Sequence, residues 1–416
     1  MRILIVGGGA REHALAWKLS QEAEVLCSPG NPGIAEDVEC LDVPATDAAG
    51  IADIVSGREV DLVVVGPEDP LIAGLSDQLR AQGITVYGPS AAAAQLEGSK
   101  AFSKDLMEAA GVPTAKYRSF TNSVEAKAYS RSRFDQGRAA VVKASGAASG
   151  KGVIVAVDAD EADEAIESMM VAREFGDSGA TVVVEDRLSG REFSLLTLVG
   201  ENNFVSLPLA QDYKRVGEGD NGPNTGGMGS YSPLHGLPVG IVEELEKSVV
   251  EPILVEMKRR GTPFTGTLFS GLMMDDGVPH CLEFNVRFGD PETESLMLRL
   301  GGGLATALMQ SAKGQFIEGP EVKPNSVVSV IVASGGYPGA CAKGLPIRIG
   351  TLPAGAKLFH AGTSASEGQL VTNGGRVICA SAEAGNLENA RTLAYEAARA
   401  VDFEGAFFRR DIAGTP

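Results

Sequence analysis

Between residues 2 and 90 four apolar, β-branched runs, RILIVGGG, EVLCSPG, VDLVVVGPE and ITVYGPS, each end in Gly or Pro and alternate with helical patterns. Strands separated by helices cannot pair as tight hairpins; they return side by side in the same direction, as a parallel sheet with helices on its faces. Both faces are then covered, which is why the runs are apolar throughout rather than at every second position. This predicts an α/β N-terminal domain with a parallel sheet over residues 1-100. The next stretch, SAAAAQLEGSKAFSKDLMEAAGV, reads as one long helix stopped by Gly111 and Pro113.

The pattern then changes. From Thr114 to about Leu188 the runs AAVVKASG, GVIVAV and TVVVED surround a helical segment, DEADEAIESMMVAREFG, as in a small α+β subdomain. The region to residue 323 adds a Gly-rich segment, a helix near 240 to 260, and two runs, TGTLFSGLMMDDG and PHCLEFNVRFG, in hairpin relation about Asp275, Asp276 and Gly277. Short strands and a final helix, NLENARTLAYEAARAV, predict a β-rich C-terminal domain over 324-416. A chain of 416 residues suggests two to four domains at roughly 100 to 200 residues each.

Net charge is −18, with acids spread along the chain, which argues against a broad nucleic-acid or anionic-membrane surface. Five scattered cysteines, Cys27, Cys40, Cys281, Cys341 and Cys379, form no CxxC pair and read as reduced core residues. No apolar run approaches the roughly 20 residues that cross a bilayer, so the expected address is the cytoplasm.

The chemistry gathers at a few places. VGGGAREHA joins a strand to a helix, where backbone N-H groups can hold an anion; its glycines are contiguous rather than spaced GxGxxG, and a tight turn with no ligand is the alternative reading. Arg11 stands beside it. In VVKASGAASGKGV, Lys143 and Lys151 bracket a loop of small residues through which backbone amides can approach a polyphosphate; a strand rather than a helix follows Gly152, so this is not a Walker A loop. In CLEFNVRFGDPETES, side chains alternate: Leu282, Phe284, Val286 and Phe288 face one way, and Cys281, Glu283, Asn285 and Arg287 the other. Same-face neighbours stand roughly 6.6 Å apart, so Glu283 and Asn285 can share one magnesium ion while Arg287 reaches a phosphate oxygen. Gly289 and Pro291 form a turn that presents Asp290 to the same site. His13 reads equally as a base or as a structural hydrogen-bonding group.

GPEDPL, QLEGSKAFSKDLM, KASGAASGKGVIVA, QDYKRVGEGDNGPNTGGMGSYSP and EFNVRFGDPET resemble the ATP-grasp superfamily, and within it the phosphoribosylamine-glycine ligase family, in order through nearly the whole chain. The resemblance implies a Rossmann-like N-terminal domain over 1-100, an ATP-grasp core over 101-323 with a mobile lid at about 114-188, and a β-rich C-terminal domain over 324-416. The implied reaction joins glycine to 5-phosphoribosylamine with ATP, through glycyl phosphate, as the second step of de novo purine synthesis. It implies ATP as co-substrate, Mg2+ or Mn2+, and a monomer or weak homo-oligomer. Lys100 and Lys143 become phosphate contacts, Gly150, Lys151 and Gly152 the lid loop, and Glu185, Asp186 and Leu188 the strand end that holds adenine through its backbone. Glu192 becomes the ribose ligand and Glu283 and Asn285 the metal ligands. Arg287 falls on phosphate and Asp290 on the attacking amine. Gly8, Gly9, Arg11, Glu12, Glu68, Asp212, Lys214, Thr225, Gly226 and Arg376 border the substrates, Arg376 near the sugar phosphate.

This chain departs from the family pattern at Ala10, at Ser145, Ala147 and Ser149, and at Ala413. If the family glycine at position 10 has positive φ, a Cβ there would strain the loop by about 1 to 2 kcal/mol. Other readings are an ATP-grasp ligase or carboxylase with a different substrate, a nicotinamide-dependent oxidoreductase, and a non-catalytic nucleotide-binding regulator.

Overall fold

The computed structural model describes residues 1–147 and 152–414. Its N-terminal sheet contains β1 (Arg2–Gly7), β2 (Glu24–Pro29), β3 (Glu39–Cys40), β4 (Leu62–Val65) and β5 (Val86–Tyr87), in the order β3-β2-β1-β4-β5, all parallel. Alternation along β1 and β4 divides their side chains between two cores. Ile3, Ile5, Leu62 and Val64 enter one, and Leu4, Val6, Val63 and Val65 the other. Neither face sees water, as the unbroken apolar runs require.

The small subdomain is a sheet of β6 (Tyr117–Phe120), β7 (Ala140–Ala144), β8 (Val153–Val155) and β9 (Val182–Asp186), ordered β6-β9-β7-β8. Helices Ser123–Asp135 and Ala159–Ile166 cover it, and its core of Phe120, Val142, Ile166, Met169 and Val184 is separate from the others. After it come β10 (Arg191–Val199), β11 (Phe204–Ser206), β12 (Gln211–Asp212), a ribbon of β13 (Arg215–Gly217) and β14 (Asn221–Asn224), and β15 (Gly229–Ser232). The hairpin β16 (Gly266–Asp275) and β17 (Val278–Asn285) joins β10 and β11 in a four-stranded sheet. Its tight turn puts Asp276 and Gly277 at positive φ, as a two-residue hairpin needs.

Strand β18 (Ser326–Ala333) pairs with Arg376–Ala384, which pairs with Ala356–His360; on its other edge β18 takes β15 and then β12. The C-terminal sheet is thus completed by strands from residues 211 to 232, so residues of that segment are carried on the same sheet as Arg376.

A buried clamp ties the first helix, Ala10–Leu19, to this sheet. His13 Nδ1 accepts from the His360 amide at 2.8 Å, which leaves Nε2 to donate to Asp37 at 3.1 Å; Lys357 adds an ion pair to Asp37 at 2.9 Å. Burial holds the His13 imidazole below its ordinary pKa despite Asp37. The structural reading of His13 is therefore the one its contacts support.

Three expectations change. The segment 91–110 is two helices, Ala91–Gly98 and Lys100–Ala110, because Ser99 is extended and its hydroxyl caps the second by accepting from Phe102 N. Cys27, Cys281 and Cys379 are core residues, but Cys40 and Cys341 are only partly buried. Ala10 opens the first helix and carries no positive-φ strain; the left-handed backbone falls instead at Ala413, with φ of 53°.

Candidate active site

The period-2 reading of 281–288 holds from Glu283 onward and fails before it. A bulge pairs Gly271 with Glu283 but Leu272 with Cys281, so Leu282 is the extra residue and Cys281 turns into the core beside Phe284 and Val286. The bulge also frees the Leu282 carbonyl, which lies 3.5 Å from Lys143 Nζ.

Glu283 faces Lys214, Lys143, Lys100 and Arg287. Burial alone would raise its pKa, but these cations outweigh it and hold the carboxyl below the usual range. Asn285 Oδ1 accepts from Arg287 at 3.4 Å. Among the described residues no group of three His, Cys, Asp or Glu side chains could hold a metal by itself. Two oxygen donors on one strand face fit a hard divalent ion that takes its remaining ligands from phosphates and water.

Lys143 and Lys104 both bind Glu185, at 2.9 and 3.0 Å, with all three side chains nearly inaccessible. Burial works against the Lys143 charge, yet Glu185 and Glu283 raise its pKa overall. Lys100 is different: burial lowers it, Glu283 supports it, and among the described residues its Nζ reaches the Gly146 carbonyl at 3.4 Å. A polyphosphate would add an anionic partner. Ser145, one of the departures, fixes this corner: its carbonyl accepts from Lys100 N at 2.7 Å and its hydroxyl from Ala101 N at 3.1 Å. Gly150 and Lys151 lie outside the described residues; the Gly152 carbonyl pairs with Ala144 N. The Asp186 carboxylate is taken by Arg133 and Arg138, so this strand end and half-buried Leu188 have backbone to offer a base.

On the far side of Glu283, Lys214 binds Asp212 at 2.7 Å. Burial opposes the Lys214 charge, but Asp212, Glu292, Glu283 and Glu192 raise it strongly. Burial raises Glu192, Lys214 opposing. Glu292, which accepts from Ser194 at 2.9 Å, is pushed up to about 7 by burial and then by Asp212. A carboxyl raised in the folded state contributes stability that is complete below its unfolded value, near 4.3, and is lost as pH rises through about 7. Glu292→Gln is expected to remove that loss; urea midpoints at pH 5 and pH 8 will differ less in the variant than in the parent.

Arg287 is a hub: Nε donates to Glu68 at 3.2 Å, Nη2 to Glu97 at 3.0 Å, and Nη1 to the Phe288 carbonyl at 3.2 Å. Arg11 joins it through Glu68 at 3.9 Å and the same carbonyl at 3.3 Å. In the glycine loop the anion at the helix start is the protein's own. Glu12 accepts from Gly9 N at 2.7 Å and from Arg11 at 2.6 Å, and a Cβ at Gly66 would strike its carboxylate at 2.1 Å. Gly8 is required by the Gly30 carbonyl, 2.5 Å from where its Cβ would be. The Gly8 carbonyl accepts from Asn31, which also donates to the His360 carbonyl.

The Gly289–Pro291 turn seats Asp290 on Arg376, with Nη1 2.9 Å from Oδ1; the same nitrogen donates to the Gly226 carbonyl at 2.7 Å. Thr225, Gly226 and Arg376 line a cavity of about 370 Å³ with Tyr337 and Lys343. Its cations are aimed differently from the sequence-based expectation: Arg376 is already spent on Asp290 and backbone, whereas Lys343 is the cationic side chain without a charged partner among the described residues.

Three family models match in series: the phosphoribosylglycinamide synthetase N domain over residues 1–97, its ATP-grasp (A) domain over 98–293, and its C domain over 327–415. The chain belongs to the phosphoribosylglycinamide synthetase family. It is 46% identical to the phosphoribosylamine-glycine ligase of Rhizobium meliloti (strain 1021) over 99% of this chain and 98% of that one. Against the ligase of the same name from Pseudomonas aeruginosa it is 44% identical, over 99% and 97%. The crystal structure of a phosphoribosylamine-glycine ligase from Thermotoga maritima superposes with a TM-score of 0.86 at 34% identity, covering 99% of this chain and all (100%) of that one. The fold is shared more widely: the biotin carboxylase domain of Hydrogenobacter thermophilus 2-oxoglutarate carboxylase, solved with MgADP, gives 0.74 at 17% identity, over 98% and 91%.

Sequence reasoning assigned no role to Lys104, Glu97, Glu292 or Glu294. Lys104 lies one helical turn after Lys100, and the i,i+4 spacing was the available signal. Glu97 sits in the same QLEGSK motif as Lys100, but its partners, Val286 N at 2.8 Å and Arg287, are nearly 200 residues away.

Proposed function

We propose that this chain ligates glycine to 5-phosphoribosylamine with ATP, giving glycinamide ribonucleotide, ADP and phosphate. The observation that carries the reading is the junction at the end of β17. Arg287 neighbours two groups of residues: Glu283, with Lys100 and Lys143 around it, and Asn285, whose Oδ1 accepts from Arg287 at 3.4 Å; and Glu68, Arg11 and Asp290. A phosphate-binding half and an amine-binding half meet at one guanidinium.

Glu283 and Asn285 would hold the divalent ion, Mg2+ or Mn2+, which would supply neutralisation of phosphate charge. Lys100 and Lys143 grip the phosphates, so that the glycine carboxylate can approach an otherwise repulsive triphosphate. The strand end 185–188 holds adenine through its backbone and Glu192 the ribose. Asp212, Lys214, Thr225 and Gly226 border the acceptor side. A carboxylate oxygen of glycine bonds to the γ-phosphorus as ADP leaves. The amine nitrogen then bonds to the glycyl carbon, the carbon-oxygen bond to phosphate breaks, and Asp290 takes the amine proton. Glycyl phosphate hydrolyses in water, and the subsidiary sheet β6–β9 serves as the lid that shields it.

Among the described residues no helix is long and apolar enough to cross a membrane, and a cytoplasmic monomer or weak homo-oligomer acting on small molecules is the setting we assign. The test is ADP release that requires both glycine and phosphoribosylamine, with the amide product identified by mass. ADP formed with neither substrate, or with bicarbonate in place of glycine, would overturn the reading.

A further inference from the structure

Glu294 has no place in the chemistry above, yet it lies under its centre. It sits in the first turn of helix Glu292–Arg299, fully buried, and neither carboxyl oxygen meets a hydrogen-bond donor among the described residues. The titratable groups that face it are Asp290 from the preceding turn and Arg376 and Cys379 from the neighbouring strand. Asp290 Oδ1 is also buried without a hydrogen-bond donor, although Arg376 Nη1 is 2.9 Å away, because the ion pair is not aligned as a hydrogen bond. Two acids and one guanidinium share this volume, the guanidinium paired with Asp290, and three of the four carboxyl oxygens lack a hydrogen-bond donor among the described residues.

A single proton resolves this. Two ionised carboxylates cannot share a dry site cheaply, and the neutral member must be the one away from the guanidinium. Burial, reinforced by the Asp290 charge, drives the Glu294 carboxyl well above its ordinary range. We infer that Glu294 is a neutral carboxylic acid that donates its proton in a hydrogen bond to Asp290, fixing that carboxylate on Arg376 in the orientation in which it receives the amine proton. Glu294 is thus a positioning residue, and the role rests on Asp290 serving as the amine's acceptor.

The backbone of the turn is held independently. Ser230 Oγ donates to the Pro291 carbonyl at 2.6 Å, and fully buried hydroxyls stand in series behind it, Ser295 at 2.6 Å from Ser230, Ser329 at 2.8 Å from Ser295 and Ser381 at 2.7 Å from Ser329. With the main chain anchored from three other elements, what Glu294 adds is the side-chain orientation of Asp290. Its loss should therefore appear in kcat and leave the KM for ATP alone.

Two variants and one spectrum test this. Glu294→Gln keeps a neutral donor and is expected to retain kcat to within about threefold; Glu294→Leu keeps volume without a donor and is expected to lose roughly ten- to a hundredfold, the loss of one hydrogen bond to a charged group. Both variants should keep the parental KM for ATP and melting midpoint. An infrared difference spectrum, parent minus Glu294→Gln at pH 8, is expected to show the carbonyl band of a protonated carboxylic acid. Absence of that band overturns the assignment of the proton whatever the enzyme's substrate. Parental kcat in the leucine variant, or a glutamine variant as slow as leucine, overturns the positioning role.

Discussion

Glu283→Gln is expected to lower turnover by at least about a hundredfold, since a metal's stabilisation of developing charge is worth several kcal/mol and each factor of ten about 1.4. The amide keeps an oxygen ligand but cannot balance the ion, and it removes the carboxylate that most supports the Lys100 charge, ahead of Glu97 and Glu185. Lys100 is already held below its ordinary pKa by burial, with Glu283 as its foremost opposing influence. The variant's Lys100 therefore falls further, and its grip on phosphate weakens. Turnover by ADP release and a Mg2+ titration read the two effects together: kcat drops and the metal midpoint moves to higher concentration. A parental Mg2+ midpoint would remove Glu283 from the metal site.

The second large effect is structural. Arg287→Met strands Glu97, its side chain 11% exposed, and Glu68, 30% exposed. Removing one partner of a buried ion pair costs about 3 to 5 kcal/mol; with Glu68 partly hydrated the lower end, about 3 kcal/mol, is expected, measured as a urea-midpoint shift near pH 7. The loss has a sign in pH. Burial already raises the Glu97 carboxyl and Arg287 is what lowers it, so in the variant its folded pKa climbs. The variant then loses stability as pH rises through that value and regains it in acid. Arg287→Lys should not rescue, because one ammonium cannot serve Glu68, Glu97, Asn285 and the Phe288 carbonyl at once. Parental stability in the lysine variant would show that the fork of contacts is dispensable.

Charge pairs in the same site differ in how visible they were beforehand. Glu283, Asn285, Arg287 and Asp290 sit within eight positions of one strand and its turn, and a period of two was enough to put the first three on one face. Glu97 and Glu68 gave no such periodic signal, since their partners, Arg287 for both, Val286 N for Glu97 and Arg11 for Glu68, are brought to them by the fold. Period-2 reasoning also erred at Cys281, because a bulge is a one-residue event set by cross-strand register and not by the strand's own pattern.

The departures show the same division. At Ala10 the sequence raised a question of strain, and the backbone answered it: the residue is already helical. Ala413 adopts φ of 53° because its amide is held by the Tyr213 hydroxyl at 2.9 Å, a contact 200 residues away in the chain.

By itself the sequence determined the parallel N-terminal sheet, the separate small α+β unit, the β16/β17 hairpin and the chemistry-bearing face of β17, because each follows from periodicity and turn residues acting over a few positions. Tertiary structure alone decided that Ser99 breaks a helix to aim Lys100 at the Ser145 corner. It also decided that β12 and β15 complete the C-terminal sheet beside Arg376, and that Asp290 and Glu294 share a buried volume. The reason is one of range: propensity and pattern act along the chain, whereas protonation and ion pairing depend on which distant groups burial brings together and how little water it leaves between them.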